Sequence, residues 1–127
     1  MADTFRFELV TPERMALSED VAQVVVPGVE GEFTVLPGHA PVISALRPGV
    51  IEVELPDASK TRIFVKGGFA EVDADRLTVL AERALAVEAM DTAAELEAAE
   101  AELAAASDDA SRLAAASAVE RLRALGR

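Results

Sequence analysis

Cysteine is absent from the 127 residues, which excludes disulfides, thiolate metal sites and a cysteine nucleophile. Tryptophan and tyrosine are absent too, and phenylalanine occurs five times. A packed interior must therefore be built mainly from Val, Leu and Ile. His39 is the only histidine. With no second His, no Cys and no tight acidic cluster near it, a metal site is not expected. A Ser-His-Asp triad would have to use this one residue, and no Gly-x-Ser-x-Gly elbow is present. No Gly-x-x-x-x-Gly-Lys-Ser/Thr loop exists to cradle phosphates, and no cofactor is expected. Apolar runs of about 18 residues are missing, so no helix is expected to span a bilayer. Positive charge is scarce: 12 Lys and Arg stand against 23 Asp and Glu, a net charge of −11. Such a surface disfavours nucleic acid and anionic lipid and suits a basic protein partner. The opening Met1-Ala2-Asp3-Thr4-Phe5 has no basic region and no long apolar run, so no signal or transit peptide is expected. Lack of cysteine fits a reducing cytoplasm.

What is present divides into two periods. Residues 1–88 read as a strand-rich domain and 89–127 as a helical one. Phe5, Phe7 and Leu9 alternate with Arg6 and Glu8, the period of a half-buried strand. Val21 to Val26 is a β-branched run closed by Pro27-Gly28. Ile51, Val53 and Leu55 alternate with Glu52 and Glu54. Thr61 to Lys66, Gly68 to Asp73 and Leu77 to Leu80 are further strands. Turn signals at Pro37-Gly38, Pro48-Gly49, Pro56-Asp57, Gly67-Gly68 and Asp73-Ala74-Asp75 separate them. Short strands at this spacing predict an all-β sandwich or barrel.

From Asp91 the period becomes helical. Thr92 and Glu95 form a Thr-x-x-Glu capping box, and a first helix is expected to about Ala106. Ser107-Asp108-Asp109 makes a polar turn, and a second helix runs from about Ala110 to Leu125. So short a turn forces antiparallel packing. Leu96, Ala99 and Leu103 share one face, and Ala115, Val119 and Leu122 share another. The first helix carries Glu95, Glu97, Glu100 and Glu102, and the second carries Arg112, Arg121 and Arg123. Opposite signs are thus expected to meet across the seam. Large apolar side chains are few: Leu96, Leu103, Leu113, Val119, Leu122 and Leu125. They are too few to offset the entropy of ordering some thirty residues, so the hairpin must dock on another surface.

Catalytic signals are weak. Glu30 with Glu32, and Asp73 with Asp75, lie in loop-like sequence and read as solvated charges. The residues alone describe an acidic β-domain with a labile helical hairpin, an interaction protein rather than an enzyme.

The stretch Val26-Pro27-Gly28-Val29-Glu30-Gly31-Glu32-Phe33-Thr34-Val35-Leu36-Pro37-Gly38-His39-Ala40-Pro41 resembles the signature of the epsilon-subunit family of F-type ATP synthases. Arg47-Pro48-Gly49-Val50-Ile51, Gly67-Gly68-Phe69-Ala70-Glu71-Val72 and Leu77-Thr78-Val79-Leu80-Ala81-Glu82 resemble its later motifs, in the same order. The resemblance covers residues 3 to 92. It implies an antiparallel sandwich of about ten strands followed by an antiparallel helical hairpin, hence a mainly β fold with an α appendage. It implies a non-catalytic rotor subunit of the central stalk, coupling proton-driven rotation of the c-ring to ATP synthesis through the gamma subunit. The implied location is peripheral, at the cytoplasmic face of a bacterial inner membrane, with contact to the membrane only through the c-ring. Glu30, Gly31, Glu32, His39, Ala40 and Pro41 match the segments that lie toward the ring, and Glu32 is the favoured partner for a basic residue there.

The hairpin departs from the family pattern. Some relatives bind ATP through Ile/Leu-Asp-x-x-Arg-Ala, and here the stretch reads Met90-Asp91-Thr92-Ala93-Ala94-Glu95. Asp91 remains, but Ala94 replaces the arginine and Glu95 places a carboxylate where a triphosphate would sit. Weak or no ATP binding is expected. Relatives also extend the hairpin toward the alpha/beta catalytic head, and Arg112, Arg121, Arg123 and Arg127 are the matching candidates for regulatory contacts. The alternatives are a free-standing β-sandwich module that binds a peptide or helix, and a small enzyme using His39 as general base. The mitochondrial counterpart of the family is a close variant of the main reading.

Overall fold

The computed structural model describes residues 3–125. Ten strands come first: β1 (Phe5–Val10), β2 (Met15–Val21), β3 (Gln23–Gly28), β4 (Gly31–Val35), β5 (Val42–Ala45), β6 (Gly49–Glu54), β7 (Lys60–Lys66), β8 (Phe69–Val72), β9 (Arg76–Leu80) and β10 (Arg83–Ala86). A 3-10 turn, Val87–Ala89, leads to helices α1 (Thr92–Ala105) and α2 (Asp109–Leu125). Two five-stranded sheets form, ordered β2-β1-β9-β8-β5 and β10-β7-β6-β3-β4. All pairs are antiparallel except β1 with β9, which run parallel from Arg6↔Arg76 to Val10↔Leu80. The expected sandwich is therefore present with one departure from full antiparallelism.

Alternation decides the interior. Phe5, Phe7 and Leu9 of β1 face Val24, Val26, Ile51, Val53, Ile63 and Val65 of the other sheet in one buried cluster. The opposite faces of β6 and β7 are apolar as well, because Val50 and Phe64 are paired neighbours pointing outward. The hairpin covers them: Val50 and Phe64 are 3% and 1% exposed, packed with Ala99, Ala118, Val119 and Leu122. The molecule is thus three layers deep, with the hairpin on the outer face of the second sheet. The outer face of the first sheet has no such cover among the described residues.

Several local expectations change. The run Val21 to Val26 is not one strand. Val21 ends β2 in the first sheet, and the chain crosses at Ala22, whose N–H donates to Glu54 O at 2.8 Å, to begin β3 in the second. Pro27 and Gly28 lie within β3 rather than in the turn, which falls at Val29-Glu30. The regular β3–β6 ladder covers only Gln23 to Val25; beyond it Pro27 takes part as an acceptor, its carbonyl receiving the Arg47 N–H at 3.0 Å, so the missing proline N–H breaks no ladder bond to β6. The cap of α1 is Asp91, not Thr92: Ala94 N donates to Asp91 Oδ1 at 3.0 Å. Glu95 is instead drawn to Arg83 of β10 at 2.8 Å. The seam between the helices has one ionic contact among the described residues, Arg123 to Glu100 at 2.8 Å, while Glu102 reaches Lys66 of β7 at 2.7 Å. The acidic helix therefore pairs mostly with the sandwich. Leu113 does not join the hairpin core and is 71% exposed.

Candidate functional site

β4 and β5 are edge strands of opposite sheets, joined by residues 36–41 along one flank of the sandwich. The connection begins with a turn in which His39 N donates to Leu36 O at 3.2 Å. Pro37 supplies its fixed φ, and Gly38, at φ 81°, takes the left-handed position that such a turn needs. Gly38 N donates to Ala74 O at 2.8 Å, tying the loop to the β8–β9 turn. At the β3–β4 turn Gly31 has φ 133°, and open space surrounds the place of a Cβ. Gly31 thus serves backbone conformation and makes no close packing contact.

These turns bring Glu30, Gly31, Glu32 and His39 onto one open groove of about 480 Å³, whose floor includes Phe33 and Ile43. Glu30 and Glu32 are exposed, and Glu32 lies in β4 rather than in a loop. His39 is half-buried, and its Nδ1 donates to Ala40 O at 2.6 Å. Ala40 and Pro41 are exposed on the connecting loop, outside the groove lining. The sequence reading named only the charged and turn-forming residues. It missed the apolar component: Val29, Leu36, Val42 and Ile43 are 55%, 50%, 39% and 73% exposed beside them. A short β-branched pair directly after Pro41 was the available signal.

A second surface escaped sequence reading altogether. On the outer face of the first sheet, Met15 pairs with Val10, Val10 with Leu80, Leu80 with Phe69 and Phe69 with Ala45. The result is an apolar row crossing all five strands. Its large members Met15, Leu80 and Phe69 are about half exposed, far more than a satisfied interior allows. Each residue looks unremarkable in its own strand, and only the register aligns them.

The hairpin arginines do not form one surface. Arg112 pairs with Asp109 within its own helix at 3.4 Å, and Arg123 pairs with Glu100. Arg121 projects to the opposite side, into a cleft of about 160 Å³ that it shares with Glu32, Arg47 and Ser117. Arg127 lies outside the described residues. Asp91 has its carboxylate engaged by the cap of α1.

Residues 4–87 match the family model described as ATP synthase, Delta/Epsilon chain, beta-sandwich domain. The chain is 49% identical to the ATP synthase epsilon chain of Maricaulis maris, over 98% of its own length and 96% of that chain. It is 57% identical to that of Parvibaculum lavamentivorans over 82 residues, covering 65% of this chain and 62% of that one. Among solved structures, it resembles a chain of the Euglena gracilis mitochondrial ATP synthase, from a structure of OSCP, F1 and c-ring. There the TM-score is 0.75 at 30% identity, over 97% of this chain and 79% of that one. A chain of the Tetrahymena thermophila central stalk and c-ring shares the fold at TM-score 0.69 and 17% identity, over 98% of each. Matched across two thirds of its length by the family model, and nearly end to end by a relative at 49% identity, the chain belongs to the ATP synthase Delta/Epsilon chain family.

Proposed function

We propose that this chain is the central-stalk subunit that passes rotation of the c-ring to the gamma subunit, using two surfaces on one stiff sandwich. It is a subunit of the membrane-associated ATP synthase complex and not a catalytic one. No helix among the described residues is long and apolar enough to cross a membrane. We propose that attachment runs through the c-ring. We place it at the cytoplasmic face of a bacterial inner membrane.

The observation that carries the reading is the apolar row Met15–Val10–Leu80–Phe69–Ala45 on the uncovered face of the first sheet. Gamma is its proposed occupant. The flank bearing Glu30, Glu32 and His39 is the proposed ring contact, where Val29 and Ile43 supply apolar area and Glu32 meets a basic loop residue. Between the two surfaces lies a close-packed interior, which transmits load with little deformation. The hairpin arginines Arg112, Arg121 and Arg123 are proposed contacts for the alpha/beta head only in an undocked state. In the docked state they are dispersed over two helix faces.

Co-expression with gamma tests the assignment. The intact chain is expected to co-purify with gamma as a stable complex. Phe69→Asp and Leu80→Asp should abolish that complex while the chain stays folded, because neither side chain is part of the interior. Retention of gamma by both variants would move the gamma contact elsewhere.

A further inference from the structure

The outer face of the first sheet carries charge beside its apolar row, and strand register fixes where each charge lies. In the row next to Met15–Val10–Leu80–Phe69–Ala45, Glu8 pairs with Ser18 and with Thr78, Thr78 with Glu71, and Glu71 with Ile43. One row further out, Arg6 pairs with Asp20 and with Arg76. Two of these carboxylates already have cations. Arg6 Nη1 lies 3.4 Å from Asp20 Oδ1, and Arg76 Nη1 lies 3.5 Å from Glu8 Oε1. Glu71 is exposed and has no cation within ion-pair distance among the described residues. Phe69 of the apolar row stands two residues away on the same strand, about 7 Å along it. Within the strands of this face, Glu71 is therefore the one uncompensated charge among the described residues, and it borders the apolar row.

We infer that gamma presents a cationic side chain opposite Glu71, and that this ion pair sets the register of the sandwich on gamma. The inference rests on gamma occupying the apolar row. Apolar contact is non-directional and scales with area, so a row of apolar side chains can slide along a matching surface with little loss. A charge at a fixed place beside the row removes that freedom. As the row closes on its partner, water is thinned over Glu71, and an ionised carboxylate left there without a donor is costly. This face has no spare donor of its own: turning Arg6 or Arg76 toward Glu71 would strip Asp20 or Glu8. The donor must come from across the interface. A shifted register, or a wrong partner, sets Glu71 against an apolar or acidic group and is rejected. The net charge of −11 acts in the same sense at longer range, because it draws a basic surface toward the chain.

Binding of the full-length chain to purified gamma provides the test, with rates read at low salt and at about 1 M salt. At low salt, Glu71→Gln should weaken the complex roughly twofold to fivefold, the range for a solvent-accessible charge pair. Glu71→Lys should weaken it more than about tenfold, mostly through slower association, because like charges then meet. Both losses should shrink toward none at about 1 M salt. Glu97→Lys makes the same change of net charge on the exposed side of α1 and should leave binding unchanged. Changing single Lys or Arg residues of gamma to Glu should identify one that restores binding to Glu71→Lys. Native affinity in Glu71→Lys, a loss matched by Glu97→Lys, a loss indifferent to salt, or the failure of every gamma reversal would each overturn the inference. So would intact gamma binding in Glu71→Lys with weakened binding to detergent-solubilised c-ring, since the carboxylate would then serve the flank where its neighbour Ile43 lies. The underlying reading is separated by Phe69→Asp. Loss of gamma there, with native binding in Glu71→Lys, keeps the apolar row and removes the ion pair. Native binding in both removes the row as the gamma contact.

Discussion

At Gly68 the backbone passes so close to Leu80 that a Cβ would sit 1.7 Å from its carbonyl oxygen, and φ is 108°. Both the clash and the torsion demand glycine, because neither the Leu80 backbone nor the strand can retreat. Gly68→Ala is expected to destabilise the chain by ~3 kcal/mol or more, read as a fall in the urea midpoint. Gly67 is less constrained, since its neighbour is the flexible Glu82 side chain. Two aspartates respond to acid for local reasons. The Asp108 carboxylate is held below the usual aspartate range by the Ser111 backbone N–H and then by the Ser111 hydroxyl. Asp57 is lowered by the hydroxyl and then the backbone N–H of Ser59. A lowered folded pKa stabilises the fold above the unfolded value, and that contribution disappears as pH falls through the folded one. The α2 circular-dichroism signal should therefore weaken below about pH 4. Asp108→Asn should keep a cap but remove this part of the acid sensitivity. An unchanged acid limb in Asp108→Asn would assign the sensitivity elsewhere.

The helices behave as a covering element rather than as an independent fold. Their contacts run from Val119 and Leu122 to Val50 and Phe64, and from Glu95 and Glu102 to Arg83 and Lys66. The two latter pairs are partly shielded, with Glu95 and Lys66 side chains 15% and 22% exposed. At the head of α1, the Asp91 carboxylate accepts the Ala94 N–H. Glu95, one turn on, adds a second carboxylate and engages the Arg83 guanidinium at 2.8 Å, so the helix start presents negative charge toward a triphosphate. Calorimetric titration of the full chain with MgATP should give no binding at sub-millimolar ligand, whereas a sub-millimolar Kd would refute the reading. The capping carboxylate is legible in part: Asp91-Thr92 marks the start in the sequence, but the choice between two adjacent caps depends on which side chain reaches the Ala94 amide.

Across the molecule, the sandwich owns one buried cluster and the hairpin shares another with it. The sandwich should therefore survive alone. A chain ending at Val87 is expected to keep its dispersed amide spectrum while melting at a lower temperature, because Val50 and Phe64 become exposed. In the assembled complex the same truncation should leave ATP hydrolysis near its starting rate. α2, with 17 residues, reaches only about 26 Å, and its described arginines point to two sides. A several-fold rise in hydrolysis would instead make the hairpin a brake.

Period and punctuation carried most of the fold into view. Phe5-x-Phe7-x-Leu9 and Ile51-x-Val53 mark strands wherever one face is buried, and the change to helical spacing after Asp91 is equally plain. Among the Pro-Gly pairs only Gly38 takes a torsion that few residues adopt; Gly28 and Gly49 instead sit where a Cβ would crowd the Gly31 backbone or Pro27. Strands such as β5 and β10, four residues long, lack enough period to be seen. The break at Ala22 is invisible because Val21 and Val24 are equally apolar, and only the second sheet distinguishes them. Which residues become surface depended on long-range pairing: Phe69 and Leu80 are adjacent through strand register, and Glu32 and Arg121 come to line one cleft through the seating of α2. Local chemistry dictates torsion and period over a few residues. Contact between distant segments is settled only when the sheets stack and the hairpin finds the apolar face they leave open.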